Sequence, residues 1–306
     1  MSDSTEASFA TMTTSETVSK AVDWATLEAR GPDRLKWLNG LLTCDLANVG
    51  VGEGAYGLSV TKNGKIRSEV MVSVGSESVL LGVRRAAAEA LLAELDRHLI
   101  MEDAEIAAHP GFEWHLVLGS QAGLARSIAV ARGGQAVRHT RRGTEALALA
   151  IPISEVGVSE ELARALGADC TATPAQWDHA RIVAGVPEFG VDFDDTHYPQ
   201  EASLERDAVS FKKGCYLGQE AVFMLENRGH VKKRLVQLAS ASPMSVGEPV
   251  TTPEGEALGT VTSTTISPEG GLALGWVRYK QSAAGTEVFV GNRPARVTPL
   301  LALEVS

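Results

Sequence analysis

The sequence predicts an α+β protein with an all-β carboxyl-terminal part. Three observations carry this expectation. Helical and strand patterns alternate up to residue 230, the helical period is absent after Lys233, and 306 residues at 44% hydrophobic and 22% charged composition suffice for two or three packed domains. The boundaries drawn from these shifts are a disordered tail over 1–20, an α+β domain over 21–112, a second over 113–230 that carries the cysteine motif described below, and a β-barrel over 231–306.

The first twenty residues are half Ser and Thr, carry acids and lack arginine, unlike an Arg-rich transit peptide. Gly31-Pro32-Asp33 followed by Leu35, Trp37, Leu38, Leu41 and Leu42 reads as a capped helix with one apolar side. Thr43-Cys44-Asp45 breaks it, and Gly50, Gly52, Gly54 and Gly57 mark a turn into strands. These glycines lack the Gly-Lys-Ser/Thr ending of a phosphate loop. Leu58 to Val60, the Asn63-Gly64 turn and alternating Val70, Val72 and Val74 form a hairpin signal, with Val79 to Val83 as a third strand. From Arg84 to Ile100, Leu91, Leu95 and Leu99 recur at helical spacing.

A second mixture follows, with a strand at Trp114 to Leu118, a helix near Gln121 to Arg132 and a strand at Leu147 to Ile151. Short helices are expected at Ser159 to Gly167 and Trp177 to Val183. Beyond Lys233, runs at Leu235 to Leu238, Gly259 to Thr265, Leu272 to Arg278 and Glu287 to Val290 lie between glycine and proline turns, which favours a small barrel or sandwich.

Charge and cysteine content exclude several functions. With 38 acidic against 28 basic residues the net charge is -10, the wrong sign for direct nucleic-acid binding. No apolar run is long enough to span a membrane. Three scattered cysteines make no disulfide framework and suit a reducing cytosol, hence a cytoplasmic protein. The seven histidines form no HExxH pair and the cysteines no CxxC pair, so no metal site is expected, and the chain cannot alone supply four cysteines to a cluster.

The densest chemical cluster is Phe211-Lys212-Lys213-Gly214-Cys215-Tyr216-Leu217-Gly218-Gln219-Glu220. Two readings of Cys215 stand side by side: a small buried apolar residue, or a thiol whose neighbouring lysines favour the reactive thiolate. Lys212, Lys213, Arg228, Lys232, Lys233 and Arg234 outnumber Glu220 and Glu226, which reads as a local cationic patch for a small polyanion or as a protected strand edge. Glu188, Asp192, Asp194, Asp195, Glu201, Glu205 and Asp207 precede it and read as a solvated acidic loop. A calcium loop is excluded because His197 occupies the turn-glycine position. His197 and His230 are both candidates for a Cys-His pair with Cys215, and Asp45 is a candidate acid or a simple cap.

The run Lys-Lys-Gly-Cys-Tyr-Leu-Gly-Gln-Glu resembles the K-G-C-Y-x-G-Q-E signature of the YgfZ family, folate-binding relatives of the glycine cleavage system T-protein, an aminomethyltransferase. Leu42 to Leu46, Thr61 to Lys65, Arg181 to Pro187, Pro199 to Glu201 and Arg228-Gly229 resemble further family segments in the same order. The resemblance implies two intertwined α+β domains and a carboxyl-terminal β-barrel around a central tetrahydrofolate cavity. It also implies a part in tRNA modification and in assembly or repair of iron–sulfur client proteins.

By that resemblance Cys215, Lys213 and Asp45 are the acting residues, with Asp45 matching the T-protein's catalytic aspartate. Tyr216, Gly214, Gln219, Glu220, Arg228 and Arg181 line the cofactor site. Two positions depart from the family pattern: Val183 replaces a folate-contacting glutamate, and Met224 an arginine. They remove a bidentate acceptor for the pterin and a partner for a carboxylate. The rival readings are a folate-dependent aminomethyltransferase and a non-catalytic folate-binding scaffold.

Overall fold

The computed structural model describes residues 18–119, 121–141, 144–155, 157–166, 172–227 and 231–298. The chain begins with β1 (Val18–Val22), β2 (Trp24–Arg30), α1 (Arg34–Asn39), β3 (Gly54–Val60), β4 (Ile66–Val74), β5 (Ser78–Arg84), α2 (Arg85–Asp96) and β6 (Glu105–Ala108). It continues through β7 (Phe112–Leu118), α3 (Ala122–Ala131), β8 (Gln135–Arg141), β9 (Thr144–Pro152), α4 (Val158–Leu166), α5 (Pro174–Val183), α6 (Glu205–Ala208) and α7 (Gln219–Asn227). Last come β10 (Lys233–Ser240), β11 (Pro249–Thr251), β12 (Ala257–Ser267), β13 (Gly270–Arg278), β14 (Glu287–Val290) and β15 (Arg293–Val297).

These strands form a five-stranded sheet ordered β3-β4-β5-β2-β6, a four-stranded sheet ordered β1-β7-β9-β8, and a closed six-stranded barrel. The α+β class and the terminal barrel agree with the sequence expectation. The two sheets interleave through β1, which pairs with β7 before the chain crosses to build the other sheet. Residues 18–20, expected in the tail, therefore belong to a strand whose partner lies far along the chain. Residues 1–17 lie outside the described residues.

Strand alternation explains the layers. Side chains two apart share a face. In β4 and β5, Met71 and Leu80 point between the sheets, whereas Val70, Val72, Val79, Leu81 and Val83 meet α1 and α2 on the other side. In β9, Ala148 and Ala150 face the inter-sheet core, and Leu147, Leu149 and Ile151 face α3 and α4. Small side chains let the sheets approach closely. At Gly82 a Cβ would stand 2.7 Å from the Trp114 ring, so the glycine makes room for an indole whose Nε1 donates to Thr26 Oγ1 at 2.9 Å.

Helix α2 is shorter than its leucine spacing suggested, yet Leu99 beyond its end still packs in the same core. The N-cap of α1, Asp33, makes no side-chain cap; its carboxylate accepts from the Asp103 amide at 2.9 Å instead. Helix α5 begins with a reciprocal cap between Thr173 and Gln176 and lays Ile182 against Leu272 and Leu274 of the barrel. Among the described residues no helix is long and apolar enough to cross a membrane.

Candidate functional site

After α6 the chain returns to the turn that follows α1 and is stitched to it. Thr43 Oγ1 donates to Ala208 O at 2.6 Å, the Ser210 amide to Thr43 O at 2.9 Å and the Leu217 amide to Gly40 O at 3.0 Å. Lys213 completes the seam. Its Nζ donates to the carbonyl oxygens of Asn39, Leu42 and Cys44 at 2.6, 2.8 and 2.6 Å. Burial pulls the Lys213 ammonium below its ordinary value, with the charge of nearby Asp45 opposing the shift.

Tyr216 lies beneath this ammonium, its ring centroid 5.3 Å from Nζ. The ring is buried in the inter-sheet core, its hydroxyl has no hydrogen-bond partner, and burial raises its pKa above the phenol range. Gly218 adopts φ +80°, and a Cβ there would stand 2.3 Å from Thr61 O, so this position demands glycine. A Cβ at Gly214 would meet nothing within 4 Å. Gln219 closes the loop by donating Nε2 to Gly214 O at 3.2 Å, and Glu220 stands exposed in the first turn of α7. Between the anchors Lys213 and Tyr216, Cys215 is exposed. Cys44 is buried, and burial pushes its thiol up to about 12.

A second feature lies between the sheets. A partly open pocket is walled by Leu116, Leu118, Trp177, Val186 and Pro187, with Glu69, Arg84, His139, Arg181 and Glu188 as its polar groups. Arg84 stands between two carboxylates, its guanidinium 3.5 Å from Glu69 Oε2 and 3.6 Å from Glu188 Oε1. Tyr56 donates to Glu69 Oε1 at 2.8 Å, and Trp177 Nε1 to Glu188 Oε2 at 3.2 Å. Apolar walls with a few convergent polar groups are the usual make-up of a small-molecule site.

Residues 233–302 match the glycine cleavage T-protein C-terminal barrel domain. The tRNA-modifying protein YgfZ of Sodalis glossinidius is 29% identical over 244 residues, 74% of this chain and 73% of that protein. The YgfZ of Aliivibrio fischeri is 28% identical over 73% of this chain and 71% of its own length. An aminomethyltransferase of Rubrobacter xylanophilus is 29% identical over 89% of this chain and 78% of that protein. The chain is related to the YgfZ proteins. The crystal structure of the glycine cleavage aminomethyltransferase T from Bartonella henselae has the same fold, with a TM-score of 0.76, 22% identity and coverage of 94% of this chain and 86% of that one.

In this YgfZ-related chain the structure brings Asp45, Lys213, Cys215 and Tyr216 onto one seam, with Gln219 and Glu220 adjoining. Asp45 is half-buried there and accepts from the Ala47 amide at 2.9 Å. Neither Asp45 nor the 213–220 segment is among the described residues lining the cavity. Cys215, expected at the edge of a folate cavity, does not line this one; around it Leu217 and Cys44 pack with the helix layer outside the first sheet while Tyr216 reaches the inter-sheet core. Arg181 reaches the cavity, but its guanidinium is held by Asp178, Asp192 and Ser263. Arg228 lies outside the described residues.

Two charge readings also change. The acidic stretch is not solvated throughout: Asp192, Glu201 and Glu205 are buried, with Arg181 on Asp192 and Arg234 on Glu205. The basic patch is dispersed, because Lys213 sits on carbonyls, Arg234 is ion-paired and Lys233 donates to His197 at 2.8 Å, leaving Lys212 and Lys232 exposed. Sequence reasoning missed Glu69 as a cavity residue. Its signal was the strand period, which places this acid on the same buried face as Met71.

Proposed function

We propose that this chain is a folate-binding factor serving the assembly or repair of iron–sulfur proteins, with tetrahydrofolate held between the sheets and Cys215 acting from the outer seam. The observation that carries the reading is the exposed Cys215 thiol, flanked by the half-buried anchor Lys213 and the buried anchor Tyr216 in a relative of YgfZ. A presented thiol fits attack on, or ligation by, a group brought by another protein, since the loop holds it at the surface.

The cavity residues fit a folate. The apolar walls of the pocket suit a flat ring system. A pterin offers ring N–H and amino donors, for which Glu69 and Glu188 are acceptors, while Arg84 is a donor for ring carbonyl or carboxylate oxygen. These carboxylates offset the acceptor absent at Val183, which packs instead with the α5–barrel contact. When bound, tetrahydrofolate supplies one-carbon carrying capacity. A net charge of -10 disfavours a direct grip on tRNA, so the tRNA-modifying role of the YgfZ relatives reaches this chain through a client enzyme.

Titrating tetrahydrofolate while following tryptophan fluorescence, with Trp177→Phe as control, tests the ligand; no binding at micromolar concentration removes it. In a strain lacking the native protein, Cys215→Ala is expected to fold but not to restore iron–sulfur enzyme activity. Full restoration removes the thiol from the mechanism. The second reading, an aminomethyltransferase, is favoured by the long match to the Rubrobacter enzyme. Its test is formation of methylenetetrahydrofolate from an aminomethyl donor.

A further inference from the structure

The geometry points to Lys213 as a positioning residue: its ammonium serves as a built-in cation that closes the carboxyl end of α1 and pins the Cys215 loop to the Asp45 turn, rather than as the charge that activates Cys215. An ammonium has three N–H donors. All three are engaged by Asn39 O, Leu42 O and Cys44 O, so none remains for the Cys215 sulfur. The acceptors belong to the end of α1 and the turn after it, where helix carbonyls lack partners and positive charge is favoured. The Tyr216 ring lies within cation–π range of the same ammonium, and Leu217 donates to Gly40 one step further along the seam. Thus the residues on both sides of Cys215 grip the fold, while Cys215 itself is exposed and Gly214 leaves open space beside it.

That Cys215 is the acting thiol rests on the function proposed above; the anchoring does not. The test reads cysteine modification by iodoacetamide in the full chain, resolved by peptide mass spectrometry. In Lys213→Ala the released carbonyls loosen the turn, and buried Cys44 is expected to react about tenfold faster or more. Propylammonium, which replaces the deleted atoms, is expected to restore protection, whereas tetramethylammonium, with no N–H donor, is not. The pH midpoint of Cys215 alkylation is expected to stay in place in both Lys213→Ala and Lys213→Met. An unchanged Cys44, a failed propylammonium rescue, or a Cys215 midpoint raised by a full pH unit would each overturn the assignment.

Should the variants not fold, the wild-type protein supplies the measurement. Acetic anhydride is expected to modify Lys213 about tenfold more slowly than exposed Lys212, and equal rates would also overturn it. A Cys215→Ala variant that supports iron–sulfur enzymes sinks the functional reading and leaves these outcomes untouched.

Discussion

Arg181 and Asp192 form an ion pair at 2.7 Å with both side chains shut away from water. Asp192 is fully satisfied: Oδ1 accepts from Thr262 and Ser263 at 2.6 Å each, and Oδ2 from Arg181 at 2.7 Å and the Glu188 amide at 2.9 Å. The pair thereby ties α5, the cavity wall at Glu188 and barrel strand β12 together. Burying two charges is tolerable here because each is met on several sides.

Arg181→Met is expected to destabilise the fold by about 3–5 kcal/mol, since it leaves Asp192 buried without its countercharge. Urea unfolding monitored by circular dichroism gives the value. A loss below about 1 kcal/mol would show that the pair is solvated in solution, as surface pairs are. Arg181→Lys is not expected to restore stability, because one ammonium cannot reproduce a planar fork aimed at Asp178, Asp192 and Ser263 together.

The two glycines of the cysteine motif should part company on substitution. Gly218→Ala forces a side chain into positive φ and against Thr61 O, and is expected to cost about 1–3 kcal/mol or more. Gly214→Ala adds a methyl group to open space and should stay within about 0.5 kcal/mol of wild type. Equal costs would contradict the loop geometry. Loss of function in a stable Gly214→Ala protein would mean that something outside the chain approaches that backbone.

Cys44 gives a pH dependence with a definite sign. Its thiol is held at about 12 when folded, against an ordinary 9.0, because burial disfavours the thiolate. Below pH 9 both states are protonated and the contribution is intact. From there to about 12 the unfolded thiol ionises while the folded one does not, so native stability falls by about 1.4 kcal/mol per pH unit from this group. Other groups titrate in the same window, so the measurement is the difference between wild type and Cys44→Ala across it. Parallel curves would show that Cys44 reaches water.

What the sequence made legible is what local pattern encodes. The Asn63-Gly64 hairpin, the leucine stripe of α2 and the closely spaced strands after Lys233 all announce themselves within a dozen residues. Strand β1 does not, because its Ser19 and Lys20 look like tail until Leu118 and Trp114 supply the partner strand. The buried acids were misread for the same reason: Asp192 looks solvated until Ser263, some seventy residues on, comes to meet it. The motif left Cys215 open between a buried and a reactive thiol, and only the structure shows it exposed; the target of Lys213 lies over 160 residues away in sequence. The cavity carboxylate Glu69 was recoverable only from which face of β4 became buried.

The separation of cavity from seam makes the two candidate acids distinguishable. Glu69 is 1% exposed and lines the cavity, whereas Asp45 caps a turn beside Lys213. If tetrahydrofolate occupies the cavity, Glu69→Gln keeps the shape of the side chain but replaces a charged acceptor by an amide. Hydrogen bonds to a charged partner are worth about 1.5–3 kcal/mol, so a loss of about tenfold to a hundredfold in folate affinity is expected by isothermal titration. Asp45→Asn should leave that affinity within about twofold, a change well under 1 kcal/mol. Should Asp45→Asn instead weaken folate as strongly as Glu69→Gln, the ligand must reach the outer seam, and Cys215 would stand beside it after all.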